Sequence, residues 1–238
     1  MTDKTPAPSA RTLARRAYHR LRRDIVAGQL QPGSKLKLET LVQNYGIGMS
    51  PLREALARLA GDQLVKTEDQ RGFWVAPLSL EELDDISRVR TLIETEALRL
   101  SIEHGDDAWE REVRDAFDAL TRVEAELSAL PQPVPQDTMD LWEERNQAFH
   151  TALVAACRSP WLVRLQELLY QQSERYRRVS LNYSQGRRFV HDEHVAIFEA
   201  AVARNALRAC RLTEDHLMRT YDAVRGALAR MQAESAAA

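Results

Sequence analysis

The 238-residue chain has few of the residues that staple a fold or line a catalytic loop. Its two cysteines, Cys157 and Cys210, give no disulfide framework and suit a reducing compartment. No apolar run approaches the roughly 18–20 residues that span a bilayer. The first ten residues lack the apolar stretch of a secretory signal, so the expected location is the cytoplasm. Only nine glycines occur, with no phosphate-cradling Gly-rich loop, no H-E-x-x-H and no G-x-S-x-G elbow, which removes the commonest nucleotide-binding and hydrolytic sites. What is present, 44% hydrophobic and 29% charged residues, excludes wholesale disorder and a fibrous repeat.

The net charge of −2 conceals an asymmetry. Residues 1–77 carry 13 Lys and Arg against 7 Asp and Glu, and the remainder carries 20 against 28. A basic first third points to nucleic acid at that end.

Residues 1–10 read as a disordered arm and 11–77 as one domain. Ala17, Leu21 and Ile25 repeat at helical spacing, and Gly28 suits a C-terminal cap. After the Pro32-Gly33 turn a short helix runs from Leu38 to Tyr45. A third begins with Ser50 as the N-cap and Pro51 in the first turn, and carries the stripe Leu52, Ala55, Leu56 and Leu59. Residues 64–67 and 73–76 look like two strands around a polar tip. This order predicts a winged helix-turn-helix. Residues 78–238 read as helix throughout, at about 80–103, 107–129, 138–157, 160–181, 187–204 and 206–231. The predicted fold is therefore mainly α: an N-terminal winged helix-turn-helix followed by an antiparallel six-helix bundle.

In a helix-turn-helix the start of the second helix faces base edges, here Ser50, Pro51 and Arg53. The wing tip, Gln70, Arg71 and Gly72, suits a minor groove, and Arg22, Arg23, Lys35 and Lys37 suit phosphates. Singly, each cation reads as a solvated surface charge; the set on one compact unit does not.

In the bundle, polar residues interrupt apolar stripes. Arg90 falls in line with Leu83, Ile86, Ile93, Ala97 and Leu100, and a buried guanidinium needs either Glu94 one turn on or a ligand carboxylate. Asn146 and His150 share a face with Trp142, Phe149, Leu153 and Cys157, at a spacing that lets two side chains bind one metal. His194 and His216 also point inward, whereas His191 reads as a surface residue or an alternative ligand. Arg175 and Tyr176, near Leu165, Leu168 and Gln172, are further candidates to line a pocket, and the helix 160–181 could instead serve dimer contacts.

Tyr18, Leu21, Ile25, Gly28, Leu30, Pro32, Gly33, Leu36 and Leu41 resemble the start of the GntR family of bacterial transcription regulators. Ser50 to Leu56, Leu59, Leu64, Val65 and Gly72 to Val75 continue the resemblance. Gly48-Met49 stands where the family often has Ser-Arg, so an operator sequence does not carry over. Arg90, Ile93, Glu94, Phe149, His150, Glu193, His194, His216 and Leu217 resemble the all-helical (FCD-type) effector domain of the FadR branch. In detail the chain is similar to regulators of glutarate and carbon-starvation genes. The resemblance implies a metal site, with zinc or nickel, at Asn146, His150, His194 and His216, where Asn146 replaces the family's carboxylate and weakens the site. It implies a repressor rather than an enzyme: a homodimer on a palindromic operator, released by a small organic acid held near Arg90, Glu94, Arg175 and Tyr176. The alternative is a metal-dependent hydrolase using the histidines to activate water.

Overall fold

The computed structural model describes residues 10–68, 72–131, 134–181 and 190–237. The chain divides into two compact units at Ser79 and Leu80. Most of the expected arm, and the wing-tip residues Gln70 and Arg71, lie outside the described residues; Ala10 is already helical.

The first unit contains α1 (Ala10–Val26), β1 (Lys35–Leu36), α2 (Leu38–Tyr45), α3 (Met49–Gly61), β2 (Val65–Glu68) and β3 (Gly72–Val75). Ala17, Leu21 and Ile25 of α1 lock against Leu52, Ala55, Leu56 and Leu59 of α3, all essentially without solvent contact. Two polar clamps flank that core: the Tyr18 hydroxyl donates to Asp62 at 2.7 Å, and the Tyr45 hydroxyl donates to Asp24. Gly46, at φ +63°, ends α2 in the left-handed conformation that a side chain would disfavour. The strands form an antiparallel sheet in the order β1-β3-β2, with Lys35 opposite Trp74 and Val65 opposite Val75. β1, only two residues long, was not foreseen; it is too short for an alternation to register.

α3 starts one residue before the expected cap. Gly48, extended at φ −65° and ψ 162°, is the N-cap, and Ser50 already lies inside the helix. Pro51 is tolerated there because the first helical N–H groups have no intrahelical acceptor to lose.

The second unit is a six-helix antiparallel bundle of the described residues: α4 (Leu80–His104), α5 (Asp107–Ala129), α6 (Gln136–Val154), α7 (Pro160–Leu181), α8 (His191–Val202) and α9 (Ala206–Ala237). No helix among the described residues is long and apolar enough to cross a membrane. α4 and α9 run alongside each other, pinned by Tyr221 on Asp84 at one level and by Cys210 Sγ on the Thr95 carbonyl at 3.2 Å at another. α5 is tied to α6 where Trp109 Nε1 donates to the Ala152 carbonyl at 2.9 Å. Asp106 caps α5 by accepting from the Ala108 and Trp109 amides, both at 3.0 Å.

The corner between α4 and α5 requires close approach. A Cβ on Gly105 would stand 2.4 Å from the Trp109 ring and 2.6 Å from the Ser101 carbonyl. Arg204 holds the same corner: its guanidinium lies 4.7 Å from the Trp109 ring centre and donates to the Gly105 carbonyl at 2.7 Å. Gly105→Ala is therefore expected to destabilise the bundle by about 1–3 kcal/mol, read as a lower urea midpoint with unchanged slope. An unchanged midpoint would show that the corner relaxes freely.

Candidate metal centre and nucleic-acid interface

α6, α8 and α9 each turn one histidine into the bundle. His150, His194 and His216 are buried, and one ring nitrogen from each lies within 4.8 Å of the others. Their ring centroids are 5.8, 5.3 and 4.9 Å apart for the pairs 150–194, 150–216 and 194–216.

Each imidazole meets a carboxylate at Nδ1: Glu124 at 2.8 Å from His194, Glu193 at 2.8 Å from His216, and Glu94 at 3.6 Å from His150. An ionised carboxylate can only accept a hydrogen bond, so the 2.8 Å contacts hold the His194 and His216 rings in the tautomer with Nδ1 protonated and a lone pair on Nε2, and Glu94 favours the same tautomer in His150. The Nε2 atoms of His150 and His194 are buried and make no hydrogen bond with the protein. Burial pushes His216 down to about 3, and lowers His150 against the opposing pull of Glu94, which keeps both rings neutral. Burial would raise the Glu94 carboxyl, but Arg90 and His150 outweigh it and hold it at about 2. Glu124 is likewise lowered, its burial overcome by the hydrogen bonds to His194 and His191.

Asn146, one turn before His150 on α6, is buried as well. Its Nδ2 donates to the Tyr170 hydroxyl at 2.6 Å, the hydroxyl donates to Glu143, and Arg177 grips Glu143 at 2.8 and 3.2 Å. That chain fixes the amide and leaves Oδ1 buried with no hydrogen bond to the protein. Two imidazole lone pairs and an amide oxygen, all buried and lacking hydrogen-bond donors, are a donor set that fits a borderline divalent cation. Nitrogens bound about 2.0–2.1 Å from one ion stand at most about 4.2 Å apart, against the 4.8 Å within which one nitrogen of each histidine lies.

Arg90 resolves in favour of an internal partner: Nε donates to Glu94 at 2.6 Å and Nη1 to Ser173 at 2.8 Å. Glu94 thus joins Arg90 to the His150 ring. Arg175 and Tyr176 do not join this group. Both are buried, but both meet Glu82, which lies two turns of α4 before Arg90, about 12 Å along the axis. His191 shares Glu124 with His194 at 2.8 Å but is 41% exposed and lies outside the triad. Glu124 and Tyr170 were missed, and Glu193 was noted only as a mark of the resemblance and not as the partner of His216. Glu124 interrupts the stripe of Leu120, Val123 and Leu127 just as Arg90 interrupts its own, so the same signal was available.

In the first unit, Ser50 and Arg53 are exposed on α3, Pro51 is half-buried, and Gly72 is exposed at φ +112°. Lys35 is exposed and its ammonium lies 4.9 Å above the Trp74 ring; Lys37 and Arg23 are exposed, and Arg22 is half-buried.

Residues 13–75 match the family model "Bacterial regulatory proteins, gntR family", and residues 85–219 match the FCD domain. The chain is 39% identical to HTH-type transcriptional regulator BphR of Paraburkholderia xenovorans (strain LB400), over 94% of this chain and 90% of the relative. It is 35% identical to HTH-type transcriptional repressor GlaR of Escherichia coli (strain K12), over 89% and 96%. A GntR family regulator from Pseudomonas syringae pv. tomato has a crystal structure similar at TM-score 0.53 and 28% identity, covering 96% of this chain and 91% of that one. A GntR regulator from Rhodococcus sp. RHA1 shares the fold at TM-score 0.71 and 20% identity, covering 92% and 99%. The family and these relatives are transcription regulators, and the hydrolase alternative finds no support among them. The chain belongs to the gntR family of bacterial regulatory proteins with an FCD domain, and is a ligand-responsive, DNA-binding transcription regulator.

Proposed function

We propose that the chain is a cytoplasmic, homodimeric repressor. Residues 11–77 bind a palindromic operator, and residues 78–238 dimerise and sense a small organic acid at a metal-anchored site. The observation that carries this reading is the triad of His150, His194 and His216, each with a carboxylate at Nδ1. A cluster built only for packing would have no use for three converging imidazoles, two of whose Nε2 lone pairs are buried and find no donor.

The ligands proposed are Asn146, His150, His194 and His216, with zinc or nickel as the cation. When bound, such an ion supplies a Lewis-acidic attachment point for a carboxylate oxygen. Asn146 contributes a neutral oxygen where a carboxylate would add charge, so these residues hold the ion less tightly than an aspartate set would. Arg90 is the proposed anchor for the effector's carboxylate, since it lies one residue-to-residue step from His150 through Glu94. Glu94 would release part of its hold on Arg90 as the acid enters. Arg175 and Tyr176 are proposed as an outer part of the same path, reached through Glu82. The effector is proposed to be a short dicarboxylate, and the relative named as repressor GlaR supports repression as the sign.

The operator surface is proposed as Ser50, Pro51, Arg53 and the wing at Gln70, Arg71 and Gly72, with Arg22, Lys35 and Lys37 on phosphates. A two-fold dimer presents two such surfaces to two half-sites. Effector binding shifts operator affinity only by its differential affinity for the two arrangements of the dimer.

Arg53→Ala is expected to weaken operator binding by about 1–3 kcal/mol at matched salt, measured by fluorescence anisotropy, with effector binding intact; equal affinity would remove Arg53 from the interface. His150→Ala and His194→Ala are each expected to lose metal, by competition with a chromophoric chelator, and to lose the response of operator binding to short dicarboxylates. Effector-free operator binding should persist in both. Undiminished metal affinity in both variants would overturn the metal-anchored site.

A further inference from the structure

The four buried positions of α3, Leu52, Ala55, Leu56 and Leu59, turn Met49, Ser50, Arg53, Glu54 and Ala57 outward. Met49 is the first residue of that helix and is 46% exposed. Among the described residues of the first unit it is the one large apolar side chain left so open. It does not join the core formed by α1, α3 and the sheet. Met49 occupies the turn from which, in a helix-turn-helix, base edges are reached.

We propose that Met49 is a base-reading residue, whose thioether arm packs on the C5-methyl group of a thymine in each operator half-site. The inference rests on the regulator reading above and adds a specificity determinant to it. In the major groove the thymine methyl is the apolar mark that separates thymine from the other bases, and apolar side chains read it by contact. A flexible, polarisable methionine can follow the methyl without the directional demands of a hydrogen bond. Arg53 lies four residues further along, one turn on and on the same face. The two Cα atoms are about 6 Å apart along the axis, roughly two base-pair steps. The half-site should therefore hold a thymine one or two base pairs from the guanine proposed for Arg53.

The test begins with selection of a preferred sequence from a randomised duplex pool by the full-length chain. Each thymine of the selected duplex is then replaced singly by uracil, which removes only the methyl group, and affinity is measured by anisotropy at fixed salt. The expected result is one position per half-site where uracil weakens binding by about three- to fivefold, the worth of one buried methyl. Met49→Ser should abolish that penalty, and Met49→Leu should keep it; both changes are at an exposed position and leave the core untouched. A wild-type chain indifferent to uracil at every thymine, or a Met49→Ser variant with the same penalty, would overturn the proposal. If the wild-type chain selects no sequence at all, the operator-reading role fails, and this inference fails with it.

Discussion

Three imidazoles packed in the middle of a helical bundle cannot all carry charge, and neutral rings still have one nitrogen that needs a proton acceptor. Glu94, Glu124 and Glu193 meet that need on the outer side of the cluster, so the three inner nitrogens are left as bases. The cost of burying each carboxylate is offset by its imidazole and, for Glu94, by Arg90 as well.

The constraint reaches every helix of the bundle. α4 brings Glu94, α5 brings Glu124, α6 brings Asn146 and His150, α8 brings Glu193 and His194, and α9 brings His216. α7 enters through Tyr170 on Asn146 and Ser173 on Arg90. A molecule that draws on any one of these groups therefore changes the contacts of helices that are far apart in sequence. The stacked rings of Phe117 and Phe198, 4.1 Å apart, and the edge-on contacts of Phe149 with His150 and His194, form a stiff apolar backing. Such a backing converts a small displacement into a shift of whole helices instead of a local dent.

Much of this was legible before the structure, because polar residues on apolar stripes are expensive and therefore informative. Arg90, Asn146, His150, His194 and His216 all surfaced that way, and all five are buried. The stripe tells which face a residue takes but not its level along the axis, so Arg175 and Tyr176 were grouped with Arg90 when they pair with Glu82 instead. Tyr170 was invisible for the opposite reason: a tyrosine facing inward is ordinary, and only its hydroxyl contact with Asn146 gives it a role. The same contact explains why an amide at position 146 is stable in place, since Tyr170 accepts from its Nδ2. In the first unit the winged helix was legible from stripe and turn signals. The start of α3 was displaced because Ser50 and Pro51 are favourable at two different places in a first turn.

The most direct test of the central claim is elemental analysis of the chain purified without an affinity tag, after incubation with zinc or nickel and dialysis. The account predicts about one divalent ion per chain, retained through dialysis. A folded chain that retains none would mean that the three oriented histidines do not form a metal centre.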